Sequence, residues 1–170
     1  MGHARAVLAQ AGALGISHEY LRWAWPLAAR AAHDLADTAT VTELLALLDG
    51  YRPGKLAPMQ RAERDLARAR RTAADGGPDT GAAFTAAIAG LREHSTPYHL
   101  AHGLLDRAAD LTGLGDSKAA EAAIAEARDI AARLRCQPLL DRSETIQPKT
   151  GKPPSRRQNA TAGLRGLAAS

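Results

Sequence analysis

The sequence predicts an all-α chain: a stack of antiparallel helix pairs (an α-solenoid) over residues 1–145, then a basic flexible tail over 146–170. Three observations predict it. Alanine fills 39 of the 170 positions while aromatics make up only 4%, so good helix formers dominate and strand formers are scarce. Turn residues at Gly15, at Gly50 with Pro53 and Gly54, at Gly76–Gly77–Pro78, at Ser95–Thr96–Pro97, at Gly113–Gly115 and at Pro138 divide the chain into segments. Inside those segments apolar residues recur at spacings of three and four. A β-sandwich or barrel is excluded on composition, and a disordered chain is excluded by the 45% hydrophobic content.

The segments place helices at about 3–14, 18–36, 40–49, 58–75, 80–93, 97–113, 117–135 and 138–146. The first carries the stripe Ala4, Leu8, Ala11 and Leu14 and has no helix before it to pair with. It therefore reads as a half-repeat whose apolar end, formed by Leu8 and Leu14, is exposed and free to self-associate. The segment from Pro58 places Ala62, Leu66, Ala69 and Ala73 on one side, with Arg61, Arg64, Arg68 and Arg71 on the other. That arginine face reads as solvated, with Glu63 and Asp65 near enough to neutralise it. Thr96 is placed to cap the next helix but one, and Pro97 sits at its first position, where a missing N–H costs nothing. The short turn from Gly113 to Asp116 requires the two helices it joins to run antiparallel.

Charge divides the chain. The balance is +4, from 22 Lys and Arg against 18 Asp and Glu. Pro148 to Ser170 holds Lys149, Lys152, Arg156, Arg157 and Arg165 and no acid. Without those five the rest carries 17 basic and 18 acidic residues, so the high isoelectric point is a property of the tail and argues little for nucleic-acid binding by the folded part. A single cysteine, Cys136, cannot close an internal disulfide, which points to a reducing, cytoplasmic setting. No apolar run approaches the roughly 20 residues of a membrane span.

The helix pairs share a phase. With Leu104 as position 4 of a 34-residue unit, Ala108, Leu111, Gly115, Asp116, Ala120, Ile124 and Ala127 fall at 8, 11, 15, 16, 20, 24 and 27. The first pair repeats it with Trp25, Ala29, Ala32, Asp37, Val41, Leu45 and Leu48. The middle pair follows it more loosely through Leu66, Phe84, Ile88 and Leu91. Small residues at 8, 20 and 27 let two helices approach, and large residues fill the remaining space. This pattern resembles the tetratricopeptide repeat. Expected repeat-packing residues are Trp25, Ala29, Leu45, Leu66, Phe84, Ile88, Leu104, Ala108, Ala120, Ile124 and Ala127.

Particular strings go further. Trp23-Ala-Trp-Pro26, Leu44-Leu-Ala-Leu-Leu-Asp49, Arg61-Ala-Glu-Arg64, Thr96-Pro-Tyr-His-Leu-Ala101 and Cys136-Gln-Pro-Leu-Leu-Asp-Arg142 resemble the C-terminal helical-repeat region of large actinobacterial regulators. Those proteins join an adenylate/guanylate cyclase or LuxR-type DNA-binding domain to an ATPase module. The resemblance covers about Leu14 to Arg142 and implies a non-catalytic interaction or scaffolding module in signal transduction. It further implies a detached or truncated part of such a regulator, with a protein partner or upstream cyclase and ATPase modules as its ligands. The family's catalytic residues have no counterpart here, so no enzyme activity is expected.

Site chemistry is sparse. Gly50 to Leu56 falls one residue short of a P-loop and places leucine where the magnesium-binding hydroxyl belongs. His94, His99 and His102 cluster, and Asp106 follows His102 by four, a weak metal-ligand spacing read here as ordinary residues of a helix start. Cys136 lacks a catalytic motif and reads as a small core residue, and Trp25 and Tyr98 read as packing residues. No cofactor, metal or catalytic residue is assigned. The alternative function is binding of a nucleic acid or another acidic partner through Arg61, Arg64, Arg68 and Arg71 together with the basic tail.

Overall fold

The computed structural model describes residues 6–146. The expected flexible tail, the start of the first predicted helix and Ala4 lie outside the described residues. After a helical turn at 6–8, the elements are α1 (Ala11–Leu14), α2 (Glu19–Asp34), α3 (Thr38–Asp49), α4 (Pro58–Ala74), α5 (Thr80–His94), α6 (Pro97–Leu114), α7 (Ser117–Leu134) and α8 (Gln137–Thr145), with a 3₁₀ turn at Pro53–Lys55. The described residues are all-helical and hold no strand, and none of their helices is long and apolar enough to cross a membrane.

The boundaries follow local chemistry. Asp37 caps α3, its carboxylate accepting from the N–H and hydroxyl of Thr40. Gln60, three residues into α4, accepts from the N–H of Ala57 and donates at 2.8 Å to the carbonyl of Ile16. That buried amide both caps α4 and ties it to the chain before α2. Thr96 accepts from the N–H of His99, with Pro97 at the first position of α6. Gly115 ends α6 at φ +82°, a left-handed conformation glycine adopts without strain, and Asp116 caps α7.

Each helix from α2 to α8 packs on the next, and α2 also meets α4, α4 meets α6, and α6 meets α8. Three apolar clusters run along the chain. The first gathers Leu8, Ile16, Leu21, Trp25 and Leu48, the second Leu66, Phe84 and Leu91, and the third Leu104, Leu105, Ile130 and Leu139. The Trp25 indole donates to the carbonyl of Leu44 at 2.8 Å, which satisfies its one polar group inside the core. Gly103 has a packing reason to be glycine: a Cβ there would stand 2.7 Å from Leu91 Cδ1. All eleven expected repeat-packing residues are buried.

Two expectations need correction. Leu8 is not part of an exposed end; it is 6% exposed and packs in the first cluster, leaving Leu14 on the surface. Leu8 shares that cluster with Ile16, Leu21 and Trp25. Glu63 does not neutralise the arginine face either. It is buried and turned to the opposite side of α4.

Candidate functional site

Helices α2, α4 and α6 each carry two aromatic or charged side chains seven residues apart: Trp23 and Arg30, Glu63 and Arg70, His99 and Asp106. Seven residues are close to two helical turns, so each pair lies along one face, about 10.5 Å from end to end. The structure brings the six together. Towards the helix starts, the Trp23 and His99 rings stand 5.8 Å apart, and Glu63 Oε1 lies 2.7 Å from His99 Nδ1. Towards the helix ends, Arg30 lies 3.4 Å and Arg70 Nε 3.5 Å from the Asp106 carboxylate. Arg142 of α8 completes the second row, donating to Asp106 at 2.5 Å.

Asp106 therefore has three guanidinium groups around it and is itself almost fully buried. Burial alone pushes its pKa up, but Arg30, Arg70 and Arg142 outweigh that and hold the carboxyl below its ordinary value. Burial lowers the Arg70 pKa, against the pull of Asp106. His102 is pushed down to about 3, by burial first and then by Arg30 and Arg142, and is neutral at pH 7. Burial and then Arg70 also lower His33.

Donors outnumber acceptors here. Arginine only donates, so His102 Nδ1, 3.0 Å from Arg142, and His33 Nδ1, 2.7 Å from Arg70, are acceptors, which puts each imidazole proton on Nε2. His102 Nε2 and Arg70 Nε are buried and make no hydrogen bond. Asp34, at the surface, takes a further bond from Arg70 at 2.9 Å.

A cleft of about 480 Å³ opens beside this cluster, at the ends of α2, α4 and α6. Arg70, Arg142, His33 and Asp106 form its polar wall, Phe84 and Leu114 are part of its apolar lining, and Asp110 lines it too. Asp110 Oδ2 is buried without a donor, and burial raises that carboxyl's pKa. At the other end of the face, Tyr20, Trp23 and Leu27 of α2 are exposed together with Tyr98 of α6. Tyr98, read from sequence as a packing residue, instead lies at the surface, its ring edge-on to His99 and His102.

Comparison with protein-family models, with curated proteins and with solved structures finds no match.

The arginines singled out in the sequence lie elsewhere. Arg64 and Arg68 pair with Asp49 and Asp65, Arg71 pairs with Asp75 and donates to Thr42, and Arg61 donates to the carbonyl of Leu56. They join α4 to α3 and to the loop before it, and spend their donors on intramolecular acceptors. The histidines also separate: His94 lies next to Glu93, while His99 and His102 belong to the face just described. Among the described residues no group of His, Cys, Asp and Glu is placed to hold a metal ion.

Proposed function

We infer that the chain is a non-catalytic protein-interaction module, a tetratricopeptide-like stack that binds a peptide segment of its partner on the face shared by α2, α4, α6 and α8. One observation carries the reading: side chains from these four helices, far apart in sequence, converge on a single face that joins exposed aromatic residues to a cleft lined by charge. The helix adjacencies support a stack in which α2/α3, α4/α5 and α6/α7 are pairs and α8 opens a further one. The resemblance to the repeat region of cyclase- and ATPase-linked regulators fits a scaffolding role in signalling, with the ligand segment supplied by another chain or by neighbouring modules.

The nucleic-acid alternative has less behind it, because Arg61, Arg64, Arg68 and Arg71 are engaged with partners in the same chain. The test is selection from a random peptide display library on the immobilised full chain. Peptides should be recovered and should lose binding to a Trp23→Ser, Tyr98→Ser variant whose helical circular-dichroism spectrum is unchanged. Recovery of none, with tight and steeply salt-dependent binding of DNA oligomers, would overturn the reading in favour of the alternative.

A further inference from the structure

We propose that the groove between α7 and α8 is a docking surface for a later segment of the same chain, residues 160–168, which seats there as the second helix of the pair that α8 opens. That segment lies outside the described residues. The groove shares no residue with the cleft beside Asp106, so the proposal is independent of the peptide-binding face.

The same groove occurs twice along the chain. In the earlier one, Thr85, Ile88, Ala89 and Arg92 of α5 form one bank, and Ala122, Ala123 and Glu126 of α7 form the other. Arg92 donates to Glu126 at 2.6 Å, which ties the two banks together. Thirty-six residues further on, Glu121, Ile124, Ala125 and Arg128 of α7 repeat the first bank position for position. Ser143 and Glu144 of α8 line this later groove, of about 570 Å³, together with Ile146. It has no second bank among the described residues. The chain leaves α8 at Ile146, on the groove itself.

The sequence after Ile146 holds a bank of the required kind. The second helices α3, α5 and α7 carry buried residues at one spacing, i, i+4 and i+7: Val41, Leu45 and Leu48; Phe84, Ile88 and Leu91; Ala120, Ile124 and Ala127. Ala160, Leu164 and Leu167 repeat that spacing 40 residues after the last set. The same shift puts Ala162 and Gly163 in the places of Ala122 and Ala123, so small residues again meet the first bank. Fourteen residues, 146–159, separate α8 from the segment, enough to turn the chain back along the nine residues of α8. A segment this short, with Gly163 and Gly166 inside it, does not hold a helix alone, so its helix forms only against the groove. Charge agrees. Glu121 and Glu144 outnumber Arg128 in the groove and have no ion-pair partner among the described residues, whereas Pro148 to Ser170 carries five cations and no acid.

The test uses the full chain with Cys136→Ser and one introduced thiol, Ala125→Cys in the groove or Ala46→Cys on α3, both at exposed positions. With the native tail, the thiol at position 125 should react with a small alkylating reagent about fivefold or more slowly than in a Leu164→Asp, Leu167→Asp variant. The thiol at position 46 should react at the same rate in both. The protection at 125 should not change with protein concentration. A second measurement leaves the groove and the tail native. In the isotope-labelled full chain, the Cα chemical shifts of residues 160–168 should be helical, and Ala125→Arg, which blocks the groove without touching the tail, should abolish that helical signature. Equal rates at position 125, or shifts at 160–168 that are not helical, would overturn the proposal. Protection that grows with protein concentration would overturn it too, in favour of docking on a second copy.

Discussion

Helix α6 has two contrasting sides. Against α7 it meets alanine: Ala101, Ala108, Ala120, Ala127 and Ala131 are all at most 1% exposed. Against α2, α4 and α8 it meets charge, with Asp106 as the common partner of Arg30, Arg70 and Arg142. The alanine side buries no polar side chain beyond the helix backbones, and its small residues allow close approach with little side-chain entropy lost. The charged side requires four ionised groups to leave water, a cost that their mutual attraction only roughly offsets. Replacing a buried ion cluster by apolar residues of similar volume is often neutral or stabilising, so stability alone does not explain its presence. The contrast teaches that one helix can be held in place by its dry side while its other side carries charge that packing does not require.

Breaking the charged side by removing Asp106, the acid that Arg30, Arg70 and Arg142 share, should have the largest effect. Asp106→Ala leaves three guanidinium groups without their shared partner and should cost about 3–5 kcal/mol by chemical denaturation. Overfilling the alanine side should cost less. Ala120→Leu forces a larger side chain into a site with no exposed surface and should cost about 1–3 kcal/mol, with peptide binding retained.

Acid should act on the charged side first. His102 is held down to about 3 in the fold, below its ordinary value of 6.5, so the unfolded chain binds more protons between those limits and stability falls as pH is lowered through them. His33 is shifted the same way, and Asp106, also held down, loses its contribution only below the ordinary carboxylate value. Thermal melts from pH 7 to pH 5 should show a loss on the order of 1 kcal/mol. His102→Gln should flatten that slope, and a slope unchanged in the variant would remove His102 from the explanation. The smallest effect concerns a helix end on neither side. Arg135 ends α7 at φ +52°, so Arg135→Gly should relieve strain and raise stability by up to about 1 kcal/mol.

The alanine side was legible in the sequence and the charged side was not. Caps and glycines at Thr96–Pro97 and Gly115–Asp116 mark the helix ends in chemistry local to a few residues, which a sequence displays directly. The spacing of Leu104, Ala108, Ala120, Ile124 and Ala127 identifies a buried side for the same reason. Arg70 shows where such reasoning ends. It sits between Ala69 and Arg71 in an arginine-rich helix, and periodicity within α4 does not say that a second packed helix buries that side. In the sequence Asp106 stands out only by its metal-ligand spacing from His102, yet its partners lie 76, 36 and 36 residues away. One signal is available: an aromatic or charged residue followed seven later by a charged one, at Trp23/Arg30, Glu63/Arg70 and His99/Asp106, in α2, α4 and α6. The burial of Leu8 is not legible in the sequence, because its cluster neighbour Ile16 lies in a turn and belongs to no periodic pattern.

If recognition is what keeps the charge in place, it can be removed without unfolding the chain. The measurement is a paired thermal melt and binding titration of the variant Arg30→Met, Arg70→Met, Asp106→Leu, Arg142→Met against the wild type, using a display-selected peptide. The expected result is a melting temperature equal to or above that of the wild type, with binding of the peptide weakened about tenfold or more. A variant that melts well below the wild type, or that folds and binds the peptide as tightly as the wild type, would contradict the assignment of this cluster to recognition.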